Sequence, residues 1–280
     1  MGLTLQDVFV RYFPEYKKAH KLPVHLLRAA QSFIQCRTAA LGGHTQECPD
    51  GHFRRHWYNS CKHRSCPQCR GLQLARWLDE QKARLLRCKH FHVTFTIPQQ
   101  LRPVFWHNQE EMTKLLFDAV RKTLFTLLKD PKFMGARPGV IASLHTWSRT
   151  LYQHPHVHCL VSGIGLGFDG KFLQARMKRL LPFDLARHRF RKLLMKSIWR
   201  SFDKGRLQVP STWTRSQFYS VLHGCGKRDW NVKPKKQYAR GDGVLLYLAR
   251  YVKGGPISNR KILSCDDGKA TFRYQPNDSP

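Results

Sequence analysis

"HPHVHCLVSG", residues 154–163, places three histidines within five positions and then turns apolar. Side chains of a β-strand alternate between its two faces. In an extended chain, His156, His158, Leu160 and Ser162 therefore share one side, and Val157, Cys159 and Val161 share the other. Two imidazoles two residues apart on one face can grip a single ion. A lone histidine here would read as an ordinary polar contact; a pair with a third in range favours a metal. The stretch thus predicts a strand with a metal site on its polar side.

Its neighbours extend the reading. "GVIASLHTWS", 139–148, is a second strand, joined to the first by a short polar connection, so the two make a hairpin-like pair. If they pair antiparallel, His145 points at the same spot as His156 and His158. His154 has the same parity but precedes Pro155, where the backbone is less regular. "HFHVTFTIP", 90–98, is rich in β-branched and aromatic residues and closes on Pro98, so it is a third strand. Its His90 and His92 repeat the pattern, either as unrelated residues or as a supporting layer. Imidazole suits zinc, manganese and other borderline ions, whereas magnesium prefers oxygen.

Helices fill the gaps. Thr4 with Asp7 predicts a capping box. "PVHLLRAAQSFIQC" carries Leu26, Leu27, Ala30, Phe33 and Ile34 on one stripe, with Pro23 at its first position. Periodicity returns in "LARWLDEQKARLL", after Asn108 (Met112, Leu115, Leu116, Ala119, Val120), and over 184–202 (Leu193, Leu194, Ile198, Trp199, Phe202). "DWNVKPKKQY" is a weak strand and "GVLLYLARYVKGG" a short helix closed by glycines. "RKILSCDDGKATFRY" is a hairpin about Asp267-Gly268. The change of pattern near residue 88 predicts two domains, 1–88 and 89–280. Periodicity alone gives a mixed α+β fold.

The charge names a class of partner. With 49 Lys+Arg against 18 Asp+Glu, the formal net charge is +31, spread along the chain. That suits a folded basic surface for a polyanion, nucleic acid before an anionic membrane. At 41% hydrophobic residues the chain can build a core, which argues against wholesale disorder. No apolar run approaches the roughly 20 residues that span a bilayer, and the amphipathic N-terminus lacks a signal-peptide core. The expected location is cytoplasmic, where thiols stay reduced, so the nine cysteines need a role other than disulfides.

The stretch "ECPDGHFRRHWYNSCKHRSCPQCRG", 47–71, supplies that role. Cys66 and Cys69 form a zinc knuckle, whose two-residue spacing lets both sulfurs reach one ion. Cys61 and Cys48 are the natural second pair, and His52 is the chief rival. No βαβ pattern surrounds the C-x-x-C, which weakens a redox reading. The segment has few apolar residues, so the metal is expected to hold it folded.

"YLARYV" sets Tyr247 and Tyr251 at i and i+4, one above the other on a helix. Alone, that spacing reads as core packing. Together with the H-hydrophobe-H strand and the basic charge, it resembles the HUH endonucleases. In detail, "CRTAALGGH" (36–44), "YNSCKHRSCPQC" (58–69), "HFHVTFTIP" (90–98), "LHTWSRTLYQHPHVHCLVSGIGL" (144–166) and "YLARYVKGGPISNRKI" (247–262) resemble, in order, the blocks of the insertion-sequence ninety-one family. These are rolling-circle transposases with an N-terminal zinc-binding domain and two tyrosines.

The resemblance implies an antiparallel-sheet HUH endonuclease domain, ferredoxin- or RRM-like, behind a helical zinc-binding domain. The helix at 243–252 would cross the histidine face. It implies that His156 and His158, with His145 as third, hold a catalytic divalent ion, Mg2+ or Mn2+. Tyr247 and Tyr251 would be the nucleophiles, and Cys48, Cys61, Cys66 and Cys69 the ligands of structural Zn2+. Arg250, Lys253 and Arg260 would contact DNA, with single-stranded or unpaired element ends as substrate. The chain departs from the family where "CPDGH" stands for a second C-x-x-C, so His52 is an alternative ligand. The family also continues beyond the point matching residue 280, so a truncated chain is expected. Trp147, Trp213 and Trp230 are possible base-stacking residues, though tryptophans more often pack in a core. The rival readings are a non-catalytic zinc-dependent DNA-binding protein and a water-using nuclease. The second would want carboxylates near the metal, and acidic residues are scarce around 145–166.

Overall fold

The structure, a computed structural model, describes residues 2–148, 151–238, 243, 245, 246, 248, 249, 255 and 257–274. In chain order the main elements are α1 (Leu5–Ala19), α2 (Val24–Gln35), β1 (Gly43–Glu47), β2 (Arg54–Tyr58), α3 (Arg70–Ala83), β3 (His90–Thr96), α4 (Arg102–His107) and α5 (Gln109–Lys129). They continue as β4 (Arg137–Trp147), β5 (Gln153–Leu166), β6 (Phe172–Gln174), α6 (Phe183–Asp203), α7 (Arg215–Lys227), β7 (Asn231–Tyr238), β8 (Ile262–Asp266) and β9 (Lys269–Phe272). The chain divides into two compact units, 81–248 and the combination of 1–80 with 249–280. Residues 249–280, which carry the C-terminal hairpin, thus group with the N-terminal helices.

In the larger unit the sheet order is β4-β5-β3-β7, with β6 beside β5, and the pairings are antiparallel. The register sets His156 opposite both His145 and Thr96, and His158 opposite both Ser143 and Thr94. One face is therefore polar across three strands. The other carries Phe91, Val93, Phe95, Val157, Cys159 and Val161, all buried. Helices α5 and α6 share its core, through residues such as Leu116, Leu124, Phe190 and Ile198. Of the expected stripes, Met112, Leu116, Ala119 and Val120 on α5 and Leu194 and Ile198 on α6 are buried, while Leu115, Leu193, Trp199 and Phe202 are half-buried against the same core. Gly165 marks a close crossing, since a Cβ there would lie 2.8 Å from the carbonyl oxygen of Arg137.

Phe95 is fully buried and meets Phe190 edge to face at a centroid distance of 5.1 Å. Phe95→Ala should cost about 3–5 kcal/mol, because the cavity adds to the lost transfer energy. Urea unfolding checks this, with a lowered midpoint and an unchanged slope.

The smaller unit is built differently. Thr4 and Asp7 form the expected capping box on α1, and Phe9 packs against Phe33 of α2 at 5.2 Å. Pro23 stands at the N-cap of α2 rather than inside its first turn. Strands β1 and β2 pair as a hairpin, and every residue of both is exposed. At the C-terminal end, β8 and β9 turn at Asp267 (φ 50°) and Gly268 (φ 73°), where the sequence places a hairpin. Arg11 ties α1 to this hairpin by donating to the carbonyl of Cys265 at 2.7 Å. Across residues 2–80 only Ala30, Cys36, Cys66 and Cys69 are buried, so this part has almost no aliphatic core.

Candidate metal centres

The polar face of the large sheet gathers three imidazoles. His145, His156 and His158 offer ligand nitrogens that all lie within 4.8 Å of one another. The ring centroids are 5.1 Å apart for His145 and His156, 4.1 Å for His145 and His158, and 4.8 Å for His156 and His158. Burial, and then the neighbouring His156 and His92, push His145 down to about 2. It is neutral near pH 7, the form that binds a metal.

The surrounding bonds orient the two β5 rings. The Nδ1 of His158 lies 2.7 Å from Nε2 of His92 and 3.1 Å from the Thr94 hydroxyl. His156 directs its Nδ1 at the carbonyl of His154, 2.5 Å away. In both rings Nδ1 is engaged, and a bond of this kind fixes a ring's orientation. His92 makes such a bond to His158. His154 stands outside the trio, bonded to Arg102 at 3.0 Å, and burial followed by that guanidinium lowers its pKa. Further along the same face, a cavity of about 300 Å3 is lined by Gln81, Arg84, His90, Leu160 and Ser162 among others.

The second centre corrects the sequence reading. The thiols that meet are Cys36, Cys61, Cys66 and Cys69, not Cys48. Sulfur separations are 3.5 Å for Cys36–Cys69, 3.6 Å for Cys61–Cys69 and 3.6 Å for Cys36–Cys66. Four thiolates about 2.3 Å from a tetrahedral zinc would stand about 3.8 Å apart, so the set fits that ion. Cys36 enters from the end of α2, where Gln6 donates to the carbonyls of Ile34 (2.7 Å) and Cys36 (2.9 Å). The positive φ of Lys62 (54°) turns the chain so that the His63 amide faces the Cys61 sulfur at 3.5 Å. Burial pushes the Cys36 thiol up to about 11 and raises Cys61 as well. Buried thiolates need a compensating cation, and a zinc ion supplies it. Cys48 stands elsewhere, on the β1–β2 turn with His52, because the ten residues of that hairpin's strands carry it away from the knuckle.

The remaining expected residues fall as follows. Tyr247, Tyr251, Arg250 and Lys253 lie outside the described residues; Gly243, Leu245, Leu246, Leu248 and Ala249 beside them are helical. Arg260 is exposed, in a single 3-10 turn. Trp230 is core, with its ring nitrogen bonded to the Cys225 carbonyl, and Trp213 is half-buried. Trp147 is 38% exposed and packs near Trp106. No helix among the described residues is long and apolar enough to cross a membrane.

Comparison with known proteins agrees with these features. Residues 139–279 match the family described as "Putative transposase", and residues 8–97 match "Transposase zinc-binding domain". "Putative transposase y4qJ" of Sinorhizobium fredii is 36% identical over 280 residues, covering 98% of this chain and 70% of that protein. The "Transposase for insertion sequence element IS801" of Pseudomonas savastanoi pv. phaseolicola is 29% identical, covering 89% of this chain and 58% of that protein. The chain belongs to the insertion-sequence ninety-one family of transposases. Among solved structures, it is similar to a conjugative relaxase TrwC bound to mutant OriT DNA, at 15% identity. That likeness covers 48% of this chain and 53% of the relaxase, with a TM-score of 0.33, too low to carry an argument.

Proposed function

We propose that this chain nicks and rejoins single-stranded or unpaired DNA ends, with Tyr247 and Tyr251 as nucleophiles and His145, His156 and His158 as holders of a divalent ion. The observation that carries the reading is the imidazole trio, with the Nδ1 of both β5 rings already engaged. When bound, the ion supplies Lewis acidity at the scissile phosphate and steadies the leaving oxygen; imidazole donors favour manganese over magnesium.

The chain supplies the rest. A tyrosine oxygen bonds to phosphorus, and the bond from phosphorus to the 3′ oxygen breaks. The phenolic proton passes to solvent, and the departing oxygen takes one up as a free 3′-hydroxyl. Tyrosine's ordinary pKa is about 10, so a neighbouring cation such as Arg250 must favour the phenolate. One phosphodiester replaces another, so strands can be resealed without ATP. Two tyrosines permit two linked transfers, one holding an end while the other cuts. The net charge of +31 draws in the polyanion. Action on DNA, with reduced thiols, fits a cytoplasmic location.

The test uses an oligonucleotide spanning an element end, labelled on the 3′ side of the cleavage site, with manganese. The label should migrate with the protein through denaturing electrophoresis. Tyr247→Phe should keep some single cleavage, and the double tyrosine variant none. Cleavage without attached label would mean water is the nucleophile; binding without cleavage would mean a non-catalytic DNA-binding protein.

A further inference from the structure

We propose that the turn of the β1–β2 hairpin is a second zinc site, built by Cys48, Asp50 and His52 and separate from the four-thiolate centre. Their ligand atoms all lie within 4.8 Å of one another. The Cys48 sulfur stands 3.6 Å from Nδ1 of His52. Sulfur at about 2.3 Å and nitrogen at about 2.0–2.1 Å from a tetrahedral zinc would be about 3.6 Å apart, so this pair already stands at ligand spacing.

The turn geometry holds the three side chains together. The Gly51 amide donates to the Cys48 carbonyl at 2.9 Å, and the Cys48 amide donates to the Phe53 carbonyl at 3.0 Å. Gly51 has a φ of +73°, which a residue with a side chain would adopt only under strain. The thiolate and carboxylate together balance the two charges of the ion beside the cationic Arg54 and Arg55. Thiolate and imidazole donors select zinc over the oxygen-seeking cations. Three protein ligands leave one tetrahedral position for water.

The hairpin itself supplies an independent argument. All ten residues of β1 and β2 are exposed, and an isolated two-stranded hairpin is marginal in water. Its base is tied down, since Asn59 accepts from the Arg37 amide at 3.1 Å, next to Cys36 and Cys61. Its tip has no buried apolar residue: positions 48–53 are exposed or at most half-buried. An ion there closes the free end of the ladder.

The experiment counts metal in the full chain. After dialysis with zinc and removal of loosely held ion, Cys48→Ser and His52→Ala should each hold one zinc per chain fewer than the unmodified protein, whatever the imidazole trio takes up, with the fold retained because neither side chain is buried. Cobalt loading gives a second readout. The substitutions should remove one tetrahedral cobalt signal and leave the strong thiolate-to-cobalt absorption of the four-cysteine centre. An unchanged zinc count in either variant overturns the proposal.

Discussion

His158→Ala is expected to lower strand cleavage by about a thousandfold or more while DNA binding persists. The ring occupies the centre of the polar face, opposite Ser143 on one neighbouring strand and Thr94 on the other. Its removal leaves His145 and His156 to hold the ion. Lewis-acid assistance from a bound metal is worth several kcal/mol, and each 1.4 kcal/mol is about a factor of ten in rate. Binding should survive because it draws on the cationic surface. Its salt dependence, a log–log slope of about −0.7 for each phosphate neutralised on a single strand, should be unchanged. A companion substitution separates ligand from support. His92→Ala removes the nearer of the two partners of His158 Nδ1 and should weaken metal affinity by about 10–100-fold, so excess manganese restores cleavage. If His158→Ala still forms the covalent adduct at its normal rate, the imidazole trio is not the catalytic centre.

Cys36→Ser should unfold the N-terminal part of the smaller unit. Of the residues buried across 2–80, three are thiols of the four-cysteine cluster and the fourth is Ala30, so an ion held by that cluster would stand where an apolar core would be. Structural zinc contributes apparent free energies of about 10–16 kcal/mol in zinc-finger peptides, far more than one small residue's burial. The expected result is loss of the four-thiolate zinc, trypsin cleavage within α1 and α2, and exchange of their amides at the rate of unfolded chain. Cys48→Ser should leave both helices protected, since Cys48 is not among the thiols around Cys36. The opposite pattern would restore Cys48 to the four-ligand set.

Much of the catalytic half was legible because β5 obeys a period of two. Its alternation and an antiparallel partner at 139–148 suffice to bring His145, His156 and His158 to one face. Long helices were equally clear where apolar residues repeat every three or four positions. The failures have physical causes. β1 and β2 bury nothing, so they show no alternation to read. Helix α7 has a capping box at Thr214 and Gln217 and a buried stripe of Phe218, Leu222 and Cys225, but Gly224 and Gly226 obscure it. Cys36 closes the stretch that reads as a helix, 23–36, and stands outside the ligand set that the sequence suggests. Its role depends on a chain reversal that brings it against residues 25 and more positions later, which local spacing does not report.

The division of labour along β5 leaves one liability in the gene. Successive side chains there belong to opposite worlds, reactive groups above and the hydrocarbon interior below. Inserting or deleting one codon between His156 and Val161 would exchange those worlds, seating imidazole in oil and valine at the DNA. Drift in this segment should therefore proceed by replacement, never by single-residue gaps.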